Sequence, residues 1–349
     1  MAAASGGVTS IITRPDTIPA IDTPEKLEFV IKRADTVSPI NIYPMAALTR
    51  DRAGLEMTEL GLLRDAGAIG FTDCDQVMVN NKVLTRCLTY AASLDMLVQG
   101  HPQDITLSAG ASATSGKFAS LRGLPSVNAI AETIGVQRDL AIVELTGVKY
   151  HFDQLSTSRA LDPLKLAKRD GLDVTAGASI HHLTLNEMDI GDYRTFFKIK
   201  PPLRSEDDRL AMVEAVADGT IDIISSMHTP QDEESKRLPF EEAASGAVGL
   251  ETILPASLKL YHNNSVSLPK LFRALSLNPA KRFNLNRGTL EPNKKADLVL
   301  FDADAPFVLN RFTLNSKSKN TPYDESLMQG KVIKTFVNGL EVYGESINE

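Results

Sequence analysis

The sequence lacks the features that mark several specialised classes of protein. Its two cysteines, Cys74 and Cys87, have no C-x-x-C spacing and are too few for a disulfide framework, so we expect a cytoplasmic protein. No run of lysine and arginine exceeds two residues and the net charge is −7, which argues against nucleic acid or an anionic membrane as a partner. No apolar stretch reaches the ~18 residues of a membrane-spanning helix. The first residues do not resemble a signal peptide.

Two kinds of apolar pattern alternate along most of the chain. Short β-branched runs, for example residues 8–12, 40–43 and 96–100, predict strands. Apolar residues spaced three and four apart, as in residues 81–94, predict helices. Strands that alternate with helices form parallel sheets, and seven such strands favour a (β/α)₈ barrel over an open sheet.

The pattern changes near Gly288, where β-rich segments replace the alternation. We therefore predict a barrel domain over residues 1–287 and a small antiparallel β domain over residues 288–349, with a hairpin turn at Asn338-Gly339. Because seven barrel strands are counted instead of eight, we expect the barrel to lack its first strand. A loop rich in glycine, alanine and serine, residues 108–116, is predicted to be a flexible lid or disordered.

The last predicted barrel strand, residues 221–226, leads into Met227. In a parallel barrel the carboxyl end of this strand is a usual place for catalytic groups. A methionine side chain neither carries a proton nor binds a hard cation. We therefore predict that no catalytic residue occupies this position.

Four motifs carry a resemblance to a known family. They are GGVTSII-x-x-PDT, HHLTLNE-x-DIG-x-YRTFFK-x-x-PPLRSEDDR, D-G-x-ID-x-I-x-S-x-H-x-PQD and G-x-VGLET. Together with KADLVLFD and FVNGLEVY near the end of the chain, they closely resemble the dihydroorotases of the amidohydrolase superfamily. The resemblance implies a (β/α)₈ barrel that carries zinc, a small β-sandwich domain, and the reversible cyclisation of carbamoyl aspartate to dihydroorotate in pyrimidine biosynthesis.

The resemblance also locates the family's metal ligands, and most are replaced here. The H-x-H pair is absent, Cys74 takes the place of the bridging carboxylate, and Gln154 that of a histidine. The position of the catalytic aspartate is Met227, whereas His101 is retained as a vestigial ligand. One imidazole does not hold a catalytic zinc. We therefore expect no cofactor, although the family uses zinc.

The substrate-binding positions implied by the resemblance are altered as well. Asp16 replaces an asparagine, Gln231 a histidine, and Lys200 the asparagine before PPLR, while His228 lies in the same mouth. A carboxylate at position 16 would repel the substrate carboxylate by a few kcal/mol at an effective dielectric constant of about 20.

These changes lead to one preferred interpretation and two alternatives. We expect a catalytically inactive dihydroorotase-like protein that serves as a structural partner of aspartate carbamoyltransferase, as non-catalytic members of the family do. The alternatives are an active zinc amidohydrolase whose N-terminal segment is missing from this chain, and the product of a decayed gene. Self-association is a further expectation.

Overall fold

The computed structural model describes residues 1–344 and contains parallel strands joined by helices. The strands in chain order are β1 Ser10–Thr13, β2 Asn41–Pro44, β3 Leu97–Gly100, β4 Ala113–Thr114, β5 Ser126–Val127, β6 Lys149–Phe152, β7 Val174–Ser179, β8 Ile223–Ser225, β9 Leu298–Val308, β10 Leu327–Val337 and β11 Leu340–Gly344. The helices are α1 Ala2–Ser5, α2 Pro24–Val37, α3 Leu60–Asp65, α4 Asn81–Ser93, α5 Ile105–Ser108, α6 Lys117–Arg122, α7 Ile130–Thr146, α8 Leu161–Arg169, α9 Ile180–Thr184, α10 Glu206–Asp218, α11 Glu233–Arg237, α12 Ile253–His262, α13 Leu268–Phe272 and α14 Asn278–Arg282.

The parallel strands form the wall of a barrel. Strand β1 pairs with β2, and β3, β6, β7 and β8 pair in that order. Phe71 joins the two groups through parallel bridges to Ala46 and Val98. Within residues 1–344, no further strand pairs with the outer edge of β1 or of β8. The alternation of strand and helix predicted this barrel architecture.

The apolar run at residues 68–72 predicts a strand, but the structure reduces it to the bridges at Phe71. Its backbone still continues the hydrogen-bonded ladder, because the Phe71 N–H donates to the Leu97 carbonyl (3.0 Å) and the Gln99 N–H to the Phe71 carbonyl (2.8 Å). The segment therefore aligns the residues that follow it, Asp73 to Asp75, with the ends of the neighbouring strands.

The glycine-rich segment predicted to be flexible is ordered. Strand β4 pairs in parallel with β5, and α7 begins after this pair at Ile130. The Thr114 hydroxyl donates to the Leu203 carbonyl at 2.9 Å. The prediction of a mobile lid was wrong because it took no account of partners far along the chain.

A three-stranded antiparallel sheet, in the order β11–β10–β9, covers the predicted β-rich tail. Asn338 and Gly339 have φ of 51° and 84°, the positive values that a tight two-residue hairpin turn requires. One face packs against α12 through Leu254, Leu258 and Val332. Residues 345–349, which belong to the predicted second domain, lie outside the described part of the chain, and the boundary at residue 287 stays a prediction.

The core fills the space between the barrel wall and its helices. Phe71, Phe152 and Leu155 are fully buried in one continuous apolar cluster with side chains from α4, α7 and α8. None of the helices described within residues 1–344 is long and apolar enough to cross a lipid bilayer. This packing fixes the strand ends, where the charged residues lie.

Candidate functional site

The carboxyl ends of the barrel strands bring charged residues together at one opening, here called the mouth. Arg14 follows β1, Asp75 follows the Phe71 bridge, His101 follows β3 and Asp153 follows β6. The carboxyl ends of parallel strands share one edge, so residues far apart in the sequence meet there.

Arg14 is the centre of the charge arrangement in the mouth. Its guanidinium lies 3.3 Å from Asp16 Oδ2, 3.7 Å from Asp75 Oδ1 and 3.7 Å from Asp153 Oδ2. Burial lowers the pKa of Arg14, but Asp153, Cys74 and Asp16 raise it, and the net pKa is above its usual value. One guanidinium thus joins carboxylates from three parts of the barrel, a set that we call the Arg14 network.

Two further cations complete the Arg14 network. Lys200 Nζ donates to Asp75 Oδ2 at 3.0 Å, and Arg52 Nη1 lies 3.6 Å from Asp75 Oδ1. Burial alone would raise the pKa of Asp75, but Lys200 and Arg14 lower it below its usual value. Three cations therefore face the carboxylates of Asp16, Asp75 and Asp153, and their charges balance.

Asp153 is the most enclosed carboxylate of the network. Its side chain is 7% exposed, and it accepts a hydrogen bond from Gln99 Nε2 at 3.0 Å. Burial raises the pKa of Asp153, and Arg14 is the main influence that lowers it. The ionised form of Asp153 therefore depends on Arg14.

His101 lies in the mouth as a buried neutral imidazole. It is 4% exposed, and neither ring nitrogen has a hydrogen-bond partner among residues 1–344. Burial lowers the pKa of His101 to about 3, and the positive charge of Lys200 adds to this effect. A ligating histidine ordinarily donates its second ring N–H to an acceptor that orients it, and His101 has none.

The two positions with replaced acidic ligands share an unusual backbone. Cys74 and Met227 have φ of 60° and 39°, in the left-handed region. Cys74 is 1% exposed, and burial raises the pKa of its thiol to about 12. Neighbouring Asp73 is not available as a ligand, since it accepts hydrogen bonds from the N–H groups of Leu48 and Thr49 and from the Thr49 hydroxyl.

The side chains of the mouth do not fit a zinc ion. Among residues 1–344, no group of three or more histidine, cysteine, aspartate or glutamate side chains is arranged to hold a metal. The carboxylate that acts on His101, Asp75, is paired with Arg14 and Lys200, whose charges would repel a divalent cation. We therefore derive no chemical step through a metal at this site.

His228 and Gln231 have different partners. The backbone N–H groups of Gly249 and Leu250 donate to His228 Nδ1 at 3.2 and 3.4 Å, and Gln231 Nε2 donates to the Ser245 carbonyl at 2.9 Å. Both side chains thus hold the loop between α11 and α12. Of the predicted pocket residues, Asp16 and Lys200 belong to the group of charges around Asp75. His228 and Gln231 instead hydrogen-bond to the backbone of the neighbouring loop.

The PPLRSEDDR motif forms a buried anchor next to the mouth. Arg204, 2% exposed, donates from Nε to the Ser156 hydroxyl at 2.9 Å and lies 3.5 Å from Glu132. Glu132 also accepts the backbone N–H groups of Ser156 and Thr157, each at 2.9 Å. This motif, the strongest sequence signal of the resemblance, therefore has a structural role.

The histidine pair of α9 is also structural. Ser179 caps this helix by accepting the His181 N–H at 3.2 Å, so neither histidine is the cap. His181 and His182 are both buried, and His182 Nε2 lies 3.1 Å from the Pro201 carbonyl.

Arg14, Arg52 and Asp153 were not predicted to be site residues. Arg14 follows an apolar strand directly, and that position of a charged residue was the available signal. Its partners lie far along the chain, so no local pattern revealed the network.

Comparison with known proteins agrees with the resemblance in the sequence. The profile of the family described as "Dihydro-orotase-like" matches residues 1–160. A dihydroorotase of Syntrophus aciditrophicus (strain SB) is 38% identical over 344 residues, which cover 99% of this chain and 81% of that protein. A dihydroorotase of Anaplasma phagocytophilum (strain HZ) is 39% identical and is covered to 76%.

Solved structures with the same fold include hydantoinases, which are also called dihydropyrimidinases. An L-hydantoinase (dihydropyrimidinase) from Arthrobacter aurescens superposes with a TM-score of 0.88 at 25% identity, covering 100% of this chain and 80% of that one. A D-hydantoinase (dihydropyrimidinase) from Thermus sp. gives a TM-score of 0.84 at 22% identity, with coverages of 98% and 78%.

Proposed function

Because the chain belongs to the dihydroorotase family, we propose that it is a non-catalytic member of that family, without zinc, which acts as a structural partner of aspartate carbamoyltransferase. One observation carries the proposal: the Arg14 guanidinium contacts the carboxylates of Asp16, Asp75 and Asp153. A positive side chain thus occupies the acidic centre of the mouth.

The chemistry of the family explains why this matters. An amide is a poor electrophile and neutral water a poor nucleophile, so a cyclic amide hydrolase depends on a metal that activates water. The Arg14 guanidinium carries a positive charge, but unlike a metal ion it cannot bind a water molecule as a ligand and activate it. As a permanent cation, it also cannot act as a base. Met227 and Gln154 supply neither a base nor a ligand that could compensate.

The proposed role as a partner rests on the contrast between mouth and scaffold. The barrel keeps its continuous core, and the buried Arg204–Glu132 anchor keeps its hydrogen bonds to Ser156 and Thr157. A scaffold that stays well packed while its catalytic residues are replaced is what we expect of a protein selected for assembly with a partner. The identity of the partner comes from the resemblance to non-catalytic family members.

Metal content and turnover test the loss of catalysis. We expect the purified chain to contain substoichiometric zinc and to interconvert carbamoyl aspartate and dihydroorotate no faster than buffer. The dihydroorotase of Syntrophus aciditrophicus, prepared in parallel, is the positive control. One zinc per chain together with turnover that a chelator abolishes would overturn the proposal and favour the active zinc amidohydrolase.

A set of variants tests the role of Arg14 in excluding metal. Restoring the family's residues by C74D, Q154H and M227D adds three ligands, yet we expect little zinc affinity while Arg14 remains. Adding R14M should raise zinc affinity by at least about tenfold in a competition titration, because the repelling cation is removed. Equal affinity with and without R14M would contradict the assigned role.

The partnership needs a separate experiment. We expect the chain to co-purify with aspartate carbamoyltransferase from its native extract and to bind the purified enzyme in sedimentation velocity. The Syntrophus dihydroorotase provides a specificity control. A chain that stays unbound at concentrations well above those in the cell would refute the partnership without affecting the proposal about catalysis.

A further inference from the structure

A large cavity lies at the end of the barrel opposite to the mouth. Its volume is about 1130 Å³, and its wall includes the residues that begin the strands, among them Met96-Leu97 and Lys149. Residues 281–287 and 293–295 form the other side. Ligand pockets commonly measure roughly 300–1,000 Å³, so the space accommodates a molecule of nucleotide size.

The lining of this cavity is strongly basic in a chain of net charge −7. The cations that line it are Lys149, Lys281, Arg282, Arg287, Lys294 and Lys295, and the carboxylates are Asp95 and Asp173. Six cations minus two carboxylates leave a formal charge of +4. Clefts lined by one sign of charge concentrate ligands of the opposite sign.

Ion pairs account for only part of that positive charge. Lys149 pairs with Asp95 at 2.8 Å, and Arg282 pairs with Asp173. Arg287 pairs at 2.5 Å with Asp297, which lies outside the lining. Both carboxylates of the lining are therefore already neutralised.

Three lysines remain without a carboxylate partner. Within residues 1–344, Lys281, Lys294 and Lys295 form no ion pair, and the one hydrogen bond among their ammonium groups runs from Lys294 to Asn286 Oδ1 at 2.6 Å. Arg282 holds one rim of the cavity rigidly, since its Nη2 also donates to the carbonyls of Tyr150 and Asp173, each at 2.8 Å. The unpaired charge thus lies on one segment, residues 281–295, which Arg282 ties to the ends of the strands on the opposite side of the cavity.

The neutral part of the lining is suited to a ligand that is more than an inorganic ion. Asn284 and Asn293 add carboxamide groups, and the ring of Phe283 and the phenol of Tyr43 add aromatic surface. The Tyr43 hydroxyl accepts from Arg287 Nε at 3.0 Å, which fixes its ring at the cavity wall.

We propose that this cavity binds a small molecule bearing a di- or triphosphate group, with the phosphates held by Lys281, Lys294 and Lys295. Phosphate oxygens accept charge-assisted hydrogen bonds from ammonium groups, and two or three phosphates match three unpaired lysines. The site is independent of the mouth, so it does not rest on the proposed loss of catalysis.

Calorimetric titration of the full chain tests the proposal with ATP, tripolyphosphate and adenosine as probes. We expect saturable binding of ATP or tripolyphosphate that weakens as salt is added, and no binding of adenosine alone. Tighter binding of ATP than of tripolyphosphate identifies a nucleotide as the ligand class, whereas equal binding identifies the phosphate chain alone.

A matched pair of variants makes the result specific to the cavity. K281A/K294A/K295A should weaken binding by at least about tenfold, whereas K82A/K117A/K317A, which removes three exposed lysines elsewhere, should leave it unchanged. Thermal unfolding of both variants checks that they are folded. Absence of saturable binding to the unmodified chain, or equal binding by the two triple variants, would overturn the proposal.

Discussion

At the scale of single residues, two positions of the mouth have a backbone conformation that their side chains do not favour. Cys74 and Met227 adopt the left-handed conformation, which costs a residue other than glycine about 1–2 kcal/mol and which aspartate and asparagine adopt more readily. The resemblance places acidic ligands at both positions. The surrounding packing therefore imposes a conformation that suits the family's residues better than those present.

The Arg14 network also makes a prediction about stability. Replacing Arg14 by methionine should lower the free energy of unfolding by about 3 kcal/mol, because buried Asp153 loses the cation that keeps it ionised. Urea denaturation at pH 7.5 measures the change. The loss should shrink as the pH is lowered, because the raised pKa of Asp153 lets the folded protein take up a proton there before an ordinary aspartate would.

Arg33→Met is the matched control, since Arg33 is exposed on α2. It should change the free energy of unfolding by less than about 0.5 kcal/mol. A loss for Arg14→Met that is no larger than this, or one that does not change with pH, would show that the network is not a stabilising element.

Prediction from sequence was least complete at this scale. Replaced ligands such as Met227 and Gln154 could be recognised because each lies in a recognisable motif. The Arg14 network could not, because Arg14, Asp75 and Asp153 follow three different strands and meet only when the barrel forms. That His228 lies in the pocket stays a prediction; its Nδ1 accepts two backbone N–H groups, which sequence spacing did not reveal.

At the scale of elements, glycine packing explains the G-x-VGLET motif. A Cβ atom on Gly249 would lie 2.2 Å from the Ser226 carbonyl oxygen, directly after β8. Gly249→Ala should therefore destabilise the protein by about 2 kcal/mol through overpacking. Gly116→Ala is the control, because the nearest atoms to its added Cβ are 3.8 Å away or farther and its φ is 176°. Differential scanning calorimetry should show a lower Tm for the first variant alone.

Helix capping gives a second comparison between equivalent positions. The Ser205 hydroxyl accepts the Asp208 N–H at 3.2 Å and caps α10, whereas Ser267 begins α13 without such a bond. Ser205→Ala should cost about 1 kcal/mol, and Ser267→Ala only a few tenths. Chemical denaturation resolves the difference; similar losses in the two variants would refute the assigned cap.

The helices and strands were largely predictable because their patterns are local. The spacing of apolar residues located α4, and the predicted helix at residues 161–169 coincides with α8. In α10, Met212, Val213 and Val216 are buried as expected, but Leu210 is 51% exposed. Leu210 lies at the margin of the apolar stripe, where sequence spacing alone does not define burial.

At the scale of the whole molecule, four buried histidines couple stability to pH: His101, whose pKa is lowered to about 3, and three others. Burial lowers the pKa of His151 and His181 to about 3 and that of His182 to about 4. An unfolded histidine titrates near pH 6.5, so between that pH and about 4 the unfolded chain binds more protons than the folded one. Stability is therefore complete above pH 6.5 and falls as the pH decreases, by up to about 1.4 kcal/mol per pH unit for each histidine.

Urea midpoints measured from pH 7.5 to 5 should show this decline. His151→Gln should remove the contribution of one buried histidine from the slope of stability against pH. Replacing His262, which is partly exposed, is the control and should leave the slope unchanged. A midpoint that is constant down to pH 5 would contradict the prediction.

The open edges of β1 and β8 predict self-association. Ile11 and Ile12 in β1 are half-buried. Strands of β-branched residues with one unpaired edge recruit further strands. Sedimentation velocity should show larger species as the concentration rises from low to high micromolar. Hydrogen exchange should slow in Ser10–Thr13 but not in the interior strand β7. A chain that remains monomeric throughout would show that the edges are covered in another way.

The Arg14 network also constrains the order in which substitutions could restore a metal site. A ligand that returns while Arg14 is present gains nothing, because the guanidinium already neutralises the carboxylates that a metal would need. Loss of Arg14 before the ligands return leaves Asp153 buried and uncompensated, and the fold is weakened. Every single step toward a metal site is therefore neutral or harmful. Under the proposed loss of catalysis, the arginine acts as a ratchet, because no gradual series of substitutions leads from it to a metal site.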